Sequence, residues 1–195
     1  MDVPIQPLLL SLPSAITALR WRRRGRPWGT ALAAVGWRGA GAHDLLLGAL
    51  VAGAGALLAL LVYRLLPLEV LTAPGMAARR YAGAAPGPAL VLRALLYEAV
   101  FVTFGEESFF RGWLQGWAER RWGFWRGNTL QAGAFLLPHL LLLLVSRAFW
   151  PVLVLVFAGG WVTGWLRHRS GSILPGWLVH SVTNATGALA AAGMV

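Results

Sequence analysis

An all-α, polytopic transmembrane helical bundle, with about five full spans plus N-terminal interfacial or short helices, is the fold class this chain predicts. Three observations lead there. Apolar residues fill 57% of the 195 positions and charged residues only 12%, against about 25% charged in soluble domains. Long apolar runs recur along the chain, each near the ~20 residues that a helix needs to cross a 30 Å hydrocarbon layer. Arginine clusters separate those runs, and eleven tryptophans supply rings that favour the headgroup level, where one side is dry and the other wet.

Residues 1–42 read as an interfacial, amphipathic segment. The apolar run from Ile5 to Leu19 is interrupted by Pro7 and Pro13, and its arginines follow it, whereas a signal peptide carries its positive charge first. Trp28 to Trp37 is too short to cross and reads as a loop or surface helix. The transmembrane domain occupies 43–195, with a motif-bearing core at 90–192. Its first span runs from Leu45 to about Leu66, with Asp44 as its cap and the Gly53/Gly55 pair admitting another helix at close range. The second starts near Pro88 and passes through Glu98 and Glu106-Glu107 to about Trp117; Glu98 and Arg93 read as interhelical or interfacial partners. The third covers Thr129 to Val145 and bends at Pro138, which has no N–H for the carbonyl four residues earlier. The fourth covers Trp150 to Leu166, with Gly159, Gly160 and Gly164 as helix contacts. Gly171 marks a turn, and the fifth span follows from Ile173 to about Ala192.

The net charge of +10 comes from arginine alone. The arginines stand between apolar stretches instead of along one helix face, and no aromatic-basic recognition module accompanies them, so nucleic acid is not the expected partner. The lipid bilayer is, through its anionic headgroups. Alternating the spans puts the Arg20–Arg26 cluster, Arg38, Arg120, Arg121, Arg126, Arg167 and Arg169 on one side and Arg79, Arg80 and Arg147 on the other. By the positive-inside rule, the chain is expected in the cell (inner or plasma) membrane as a multi-pass protein, its N-terminus cytoplasmic and its C-terminus opposite. The absence of cysteine removes disulfides, thiolate catalysis and thiolate metal sites.

Five polar groups break the apolar pattern: Glu106, Glu107, His139, His180 and Asn184. A charge within a span costs roughly 2.5 to 3.5 kcal/mol on an insertion scale, so their recurrence on three segments needs a reason. In a helix, Glu107 and Arg111 share a face and can pair, while Glu106 points about 100° away and is free to take a proton. His139 follows Phe135 by one turn, directly after Pro138, on a span bent to line a cavity. His180 and Asn184, four residues apart, share a face, and both can donate to an oxygen that gains negative charge. Singly, each admits a packing role, either an ion-pair network or a hydrogen bond between helices. Together they are the groups that activate water against a carbonyl.

In its motifs the sequence resembles the CPBP family, the CAAX proteases and bacteriocin-processing enzymes also called the Abi family. Glu106-Glu107-x-x-x-Arg111, followed by Gly112, matches its first motif; Phe135-x-x-x-His139 matches the second; His180-x-x-x-Asn184 matches the third. The resemblance covers roughly Leu90 to Ala192. It implies an intramembrane glutamic endopeptidase without a cofactor, in which Glu106 and His139 activate water, His180 and Asn184 form the oxyanion hole, and Glu107, Arg111 and Phe135 support the site. The implied partner is a membrane-associated protein or peptide substrate. Three alternatives stay open: a metal-dependent version with Glu106, His139 and His180 as ligands, a non-catalytic membrane peptide-binding or immunity protein, and a small ion-coupled transporter.

Overall fold

The computed structural model describes residues 5–71, 73 and 76–193, with backbone alone for Leu68 and Glu69. Every regular element among them is helical. Helices α1 (Ile5–Arg23) and α2 (Trp28–Ala33) lead into α3 (Ala42–Arg64), followed by the single turn α4 (Leu68–Leu71). From Pro88 the backbone stays helical through α5 (Pro88–Tyr97), α6 (Phe104–Glu107) and α7 (Gly116–His139), and the short α8 (Leu142–Val145) follows. Helices α9 (Trp150–Ser170) and α10 (Leu174–Ala191) complete the bundle.

Three stretches are long and apolar enough to cross a membrane: Ala42–Arg64, Pro88–Val145 and Arg147–Ser170. The middle one has 58 residues, far more than one crossing needs. It folds back at Gly123, whose φ of 77° breaks the helix in a region that costs a side-chain-bearing residue about 1–2 kcal/mol. A β-carbon at Gly127 would stand 2.7 Å from the Glu119 nitrogen, so the two arms separate only beyond that point. The expected second and third spans are therefore longer than their apolar runs. They extend to Trp122 and from Phe124, and what reads as a loop between Trp117 and Thr129 is almost wholly helical. All five expected segments are helices, the last with 18 residues, about 27 Å long.

Small residues set how the elements meet. The backbone of α10 lies against α3 where a β-carbon at Gly48 would stand 3.1 Å from Pro175, and one at Gly55 would stand 2.7 Å from the Thr183 methyl. Gly53, the other half of the expected pair, faces open space. Gly160 and Gly164 admit Phe135 and Asn128 of α7, while Gly159 has no such neighbour. The polar side chains Asn128 and Gln131 are fully buried there, and their amides donate to the carbonyls of Trp161 and Gly160. Asp44 does not cap α3: the cap position belongs to Gly41, and the Asp44 carboxylate pairs with Arg169 at 3.0 Å. Outward faces are apolar, with Leu144 82% and Leu65 77% exposed. That is the surface of a protein whose solvent is lipid, since a soluble monomer rarely exposes such patches.

Helix α1 stands beside the arm that carries Glu106. A β-carbon at Gly105 would meet the Pro7 backbone, and one at Gly112 would meet the Ser14 hydroxyl. Both pairs are 98 positions apart in sequence, so the helices run parallel, and the same offset carries Arg23 to the level of Arg121. Arg80 belongs to the other end, where it pairs with Glu98 of the arm's opening stretch. Single cysteines at positions 23 and 121 are therefore expected to react with a membrane-impermeant thiol reagent from one side, and a cysteine at position 80 from the other. The chain has no native cysteine to interfere; labelling of all three from one side would reject this arrangement.

Candidate active site

The arm that begins at Pro88 departs from α-helical geometry on either side of Glu106. Residues Glu98–Thr103 and Ser108–Gln115 form π-helical turns, a wider winding that is rare and concentrates at functional sites. Its effect is on direction. At 100° per residue, Glu98 and Arg111 would point about 220° apart on a regular helix. With two wide stretches between and around them, both line one cavity. Carbonyls of these stretches also take bonds from neighbouring helices: Ala99 accepts from the Trp177 indole at 2.9 Å and Ser108 from the Ser14 hydroxyl at 2.6 Å.

Glu107 is the centre of the polar cluster. Its side chain is 0% exposed, and Arg111, 1% exposed, pairs with its Oε1 at 3.0 Å, as the four-residue spacing predicts. The same oxygen accepts from His180 Nδ1 at 2.9 Å. A carboxylate held by arginine only accepts, so Nδ1 of His180 carries a proton, and the ring presents Nε2 on its other edge. That nitrogen faces Glu106 Oε2 at 3.5 Å. His180 thus stands between the two adjacent carboxylates, one ring nitrogen toward each. The other oxygen of Glu106 accepts from the Gln6 side-chain amide at 2.8 Å.

Phe135 joins the remaining parts. Its ring lies under the Arg111 guanidinium at 4.4 Å, edge-on to His180 at 5.3 Å and against His139 at 4.8 Å. His139 Nδ1 donates to the Phe135 carbonyl at 2.8 Å, which leaves Nε2 as its free lone pair. Counted from Thr129 as the start of its helix, His139 would stand at a different depth from Glu106 unless that helix tilted, kinked or began later. It begins earlier instead. Because the partner arm also reaches Gly123, Glu107 lies sixteen residues before the turn and His139 sixteen after it, and the two arms bring them level.

Asn184 shares the inward face of α10 with His180, as their spacing predicts. Its partner is Glu98, whose Oε2 is 3.5 Å from the Asn184 amide nitrogen. Glu98 is buried and pairs with Arg80 at 3.3 Å, the Arg80 guanidinium lying 4.0 Å over the Tyr97 ring. Arg93, which also read as an interhelical or interfacial partner, is exposed. Gln6 and Arg80 carry no signal by which sequence reasoning finds them, because both come from outside the apolar spans. Glu98 does carry one: a carboxylate two turns before Glu106 in the same apolar run.

These groups end an elongated cavity of about 520 Å³. Its polar end presents Glu98, Arg111, His139, His180 and Asn184, and the walls beyond are apolar, among them Leu58, Phe149, Val152 and Leu155. Glu106 is not part of that lining and is reached across His180. Among the described residues, no three His, Asp or Glu side chains form a group able to hold a metal ion.

The two carboxylates should therefore respond differently to substitution. Glu107→Ala strands Arg111 as a buried unpaired charge, and breaking such a pair costs about 3–5 kcal/mol. Glu106→Gln keeps shape and hydrogen-bonding capacity at a half-buried position and should cost under about 1 kcal/mol. Thermal unfolding of the two variants in the same detergent measures the difference; equal losses would reject this division.

A family model described as type II CAAX prenyl endopeptidase Rce1-like matches residues 88–186, from the start of α5 to within α10, and so includes Glu106, Glu107, Arg111, Phe135, His139, His180 and Asn184. No curated protein and no solved structure matches the chain. With half of its length covered by that model, and the three motifs folded into one cluster on α6, α7 and α10, the chain belongs to the type II CAAX prenyl endopeptidase Rce1-like family.

Proposed function

We propose that this protein is an intramembrane endopeptidase that hydrolyses a peptide bond in a membrane-associated protein or peptide, using water activated by Glu106 and His139. The observation that carries the reading is His180 seated between Glu106 and Glu107 at the polar end of an otherwise apolar cavity. The arrangement separates two tasks. Glu107 Oε1 is held by Arg111 and His180 and fixes their positions, while Glu106 keeps a proton-accepting oxygen.

In this reading the apolar walls receive the lipid-embedded part of the substrate, and the scissile carbonyl lies at His180 and Asn184. A water held by Glu106 and by the free Nε2 of His139 gives its proton to Glu106 as its oxygen attacks the carbonyl carbon. Negative charge passes to the carbonyl oxygen, where His180 Nε2–H and the Asn184 amide donate to it. The C–N bond then breaks as Glu106 returns the proton to the leaving amine, and carboxylate and amine depart. Donation from both ring nitrogens requires His180 to carry two protons in this step, one directed to Glu107 and one to the carbonyl oxygen. Arginine bias places the Arg23 and Arg121 end of the bundle at the cytoplasm, with the site reached from that leaflet.

Glu106→Gln is expected to abolish cleavage and leave membrane insertion and abundance unchanged, because an amide of equal shape takes no proton. Comparative peptidomics of membranes carrying either form tests this and identifies what is cut. Turnover by the purified Glu106→Gln protein would overturn the general-base role. Loss of wild-type turnover to a chelator would favour the metal-dependent version with Glu106, His139 and His180 as ligands.

Asn184→Ala removes one oxyanion donor, a change that costs roughly 2.7 to 4 kcal/mol of transition-state stabilisation, or about a hundredfold to a thousandfold in rate. The loss should appear in the chemical step and not in binding, because the bond strengthens only as charge develops. Single-turnover cleavage with separately measured peptide binding tests it. A variant that binds poorly but cuts bound peptide at the normal rate would make Asn184 a binding residue.

A further inference from the structure

One side chain that hydrogen-bonds to Glu106 lies outside the family-matched stretch. Gln6, on the first turn of α1, donates its side-chain amide to Glu106 Oε1 at 2.8 Å, a shorter contact than the 3.5 Å to His180 on the other oxygen. The contact is built into the packing. The backbone of Pro7 occupies the space that a side chain at Gly105 would fill, with 2.5 Å between the Pro7 Cα and a β-carbon there. Two turns further on each helix, Ser14 is buried, donates to the Ser108 carbonyl and fills the space beside Gly112. Glycine at 105 and 112 thus lets α1 approach the arm closely enough for a five-atom side chain to reach the carboxylate.

We propose that Gln6 is a positioning residue for Glu106: it fixes one carboxylate oxygen so that the other faces the reacting water. The proposal rests on the reading of Glu106 as general base. A hydrogen bond to a charged acceptor stabilises the charged form, and an amide is suited to the task because it adds no charge of its own. The charged or titratable groups around Glu106 are His180 on α10, His139 on α7, and Glu98, Glu107 and Arg111 on its own arm. From α1, Gln6 is the described side chain that bonds to it. This neutral donor is thereby separable by mutation from the charges opposite. Gln6 is itself exposed, so replacing it does not open the core.

The test needs no substrate for its first readout. In purified protein, the infrared carboxyl band that disappears in Glu106→Gln reports the protonation of Glu106 as pH is varied. Gln6→Met should move its midpoint up by about one pH unit, the size expected for a lost hydrogen bond to a charged group. Gln6→Glu should move it further, because two carboxylates at that distance share a proton. The second readout is the pH profile of cleavage of a peptide identified by the peptidomic comparison. Its acid limb in kcat/KM should rise by the same amount in Gln6→Met, with KM unchanged. If Met at position 6 loosens the end of α1, the isosteric Gln6→Glu carries the test. An unmoved band beside Glu106-dependent cleavage overturns this proposal alone. A faster Gln6→Met enzyme with an unmoved limb also overturns it, since Gln6 would then obstruct the site. A moved band with no Glu106-dependent cleavage overturns it together with the reading on which it rests.

Discussion

The ion pair between Glu107 and Arg111 fixes the rest of the site, because neither group has any contact with solvent. Both side chains are within 1% of complete burial in a bundle whose outer surface is apolar. Taking two charges out of water costs several kcal/mol each, and their attraction offsets this only with good geometry and further hydrogen bonds. Those come from different helices: His180 Nδ1 from α10 donates to the same carboxylate oxygen, and the Phe135 ring from α7 covers the guanidinium. Phe135 in turn sits against His139. One unsolvated pair thereby draws α7 and α10 to α6, and the functional side chains arrive as partners of the pair or as neighbours of those partners.

What the residues revealed beforehand follows from spacing along regular helix. Glu107 with Arg111, and His180 beside Asn184, are four apart and fall where a 3.6-residue period puts them. The five apolar segments are likewise helices. The partner of Glu98 was not legible, because that depends on winding. The π turns at Glu98–Thr103 and Ser108–Gln115 rotate the arm away from the regular period, and no residue there announces them by type. The hairpin at Gly123 was hidden for a different reason. Glu119, Arg120, Arg121 and Arg126 have the composition of a loop, yet they stand on helices that project past the apolar runs. The depth of His139 was misjudged with it, since depth was counted from the apolar run instead of from the turn. Gly53 failed as a contact because it shares no face with Gly55, two residues on.

Residues 5–64, including α1 and α3, precede the family-matched stretch, and they bear on the site in opposite ways. Helix α3 contributes apolar wall, including Val51 and Leu58, and closes the cavity through its contact with α10. Helix α1 contributes to the far side of His180, where Glu106 lies. The cluster is therefore enclosed from both sides by chain outside the matched region, and its motif residues do not make up the whole site. This matters for the carboxylates, since their surroundings distinguish them more than their chemistry does.

Two adjacent glutamates begin as equivalent groups, and the fold makes them unlike through the count of donors and their charge. Glu107 receives a guanidinium and an imidazole on one oxygen, and its second oxygen is buried against the backbone of Gly176, where a β-carbon would stand 3.2 Å away. Glu106 receives a neutral amide on one oxygen and only a distant imidazole nitrogen on the other, and its side chain keeps 13% of its exposure. Since the single ring of His180 touches both, its Nδ1 bond to Glu107 sets the direction of Nε2 toward Glu106. Exchanging the two glutamates' environments would need a different winding of the whole arm, because adjacent residues of an α-helix such as α6 point about 100° apart. The π turns beside α6 thus set which of the two carboxylates faces Arg111 and which faces Gln6.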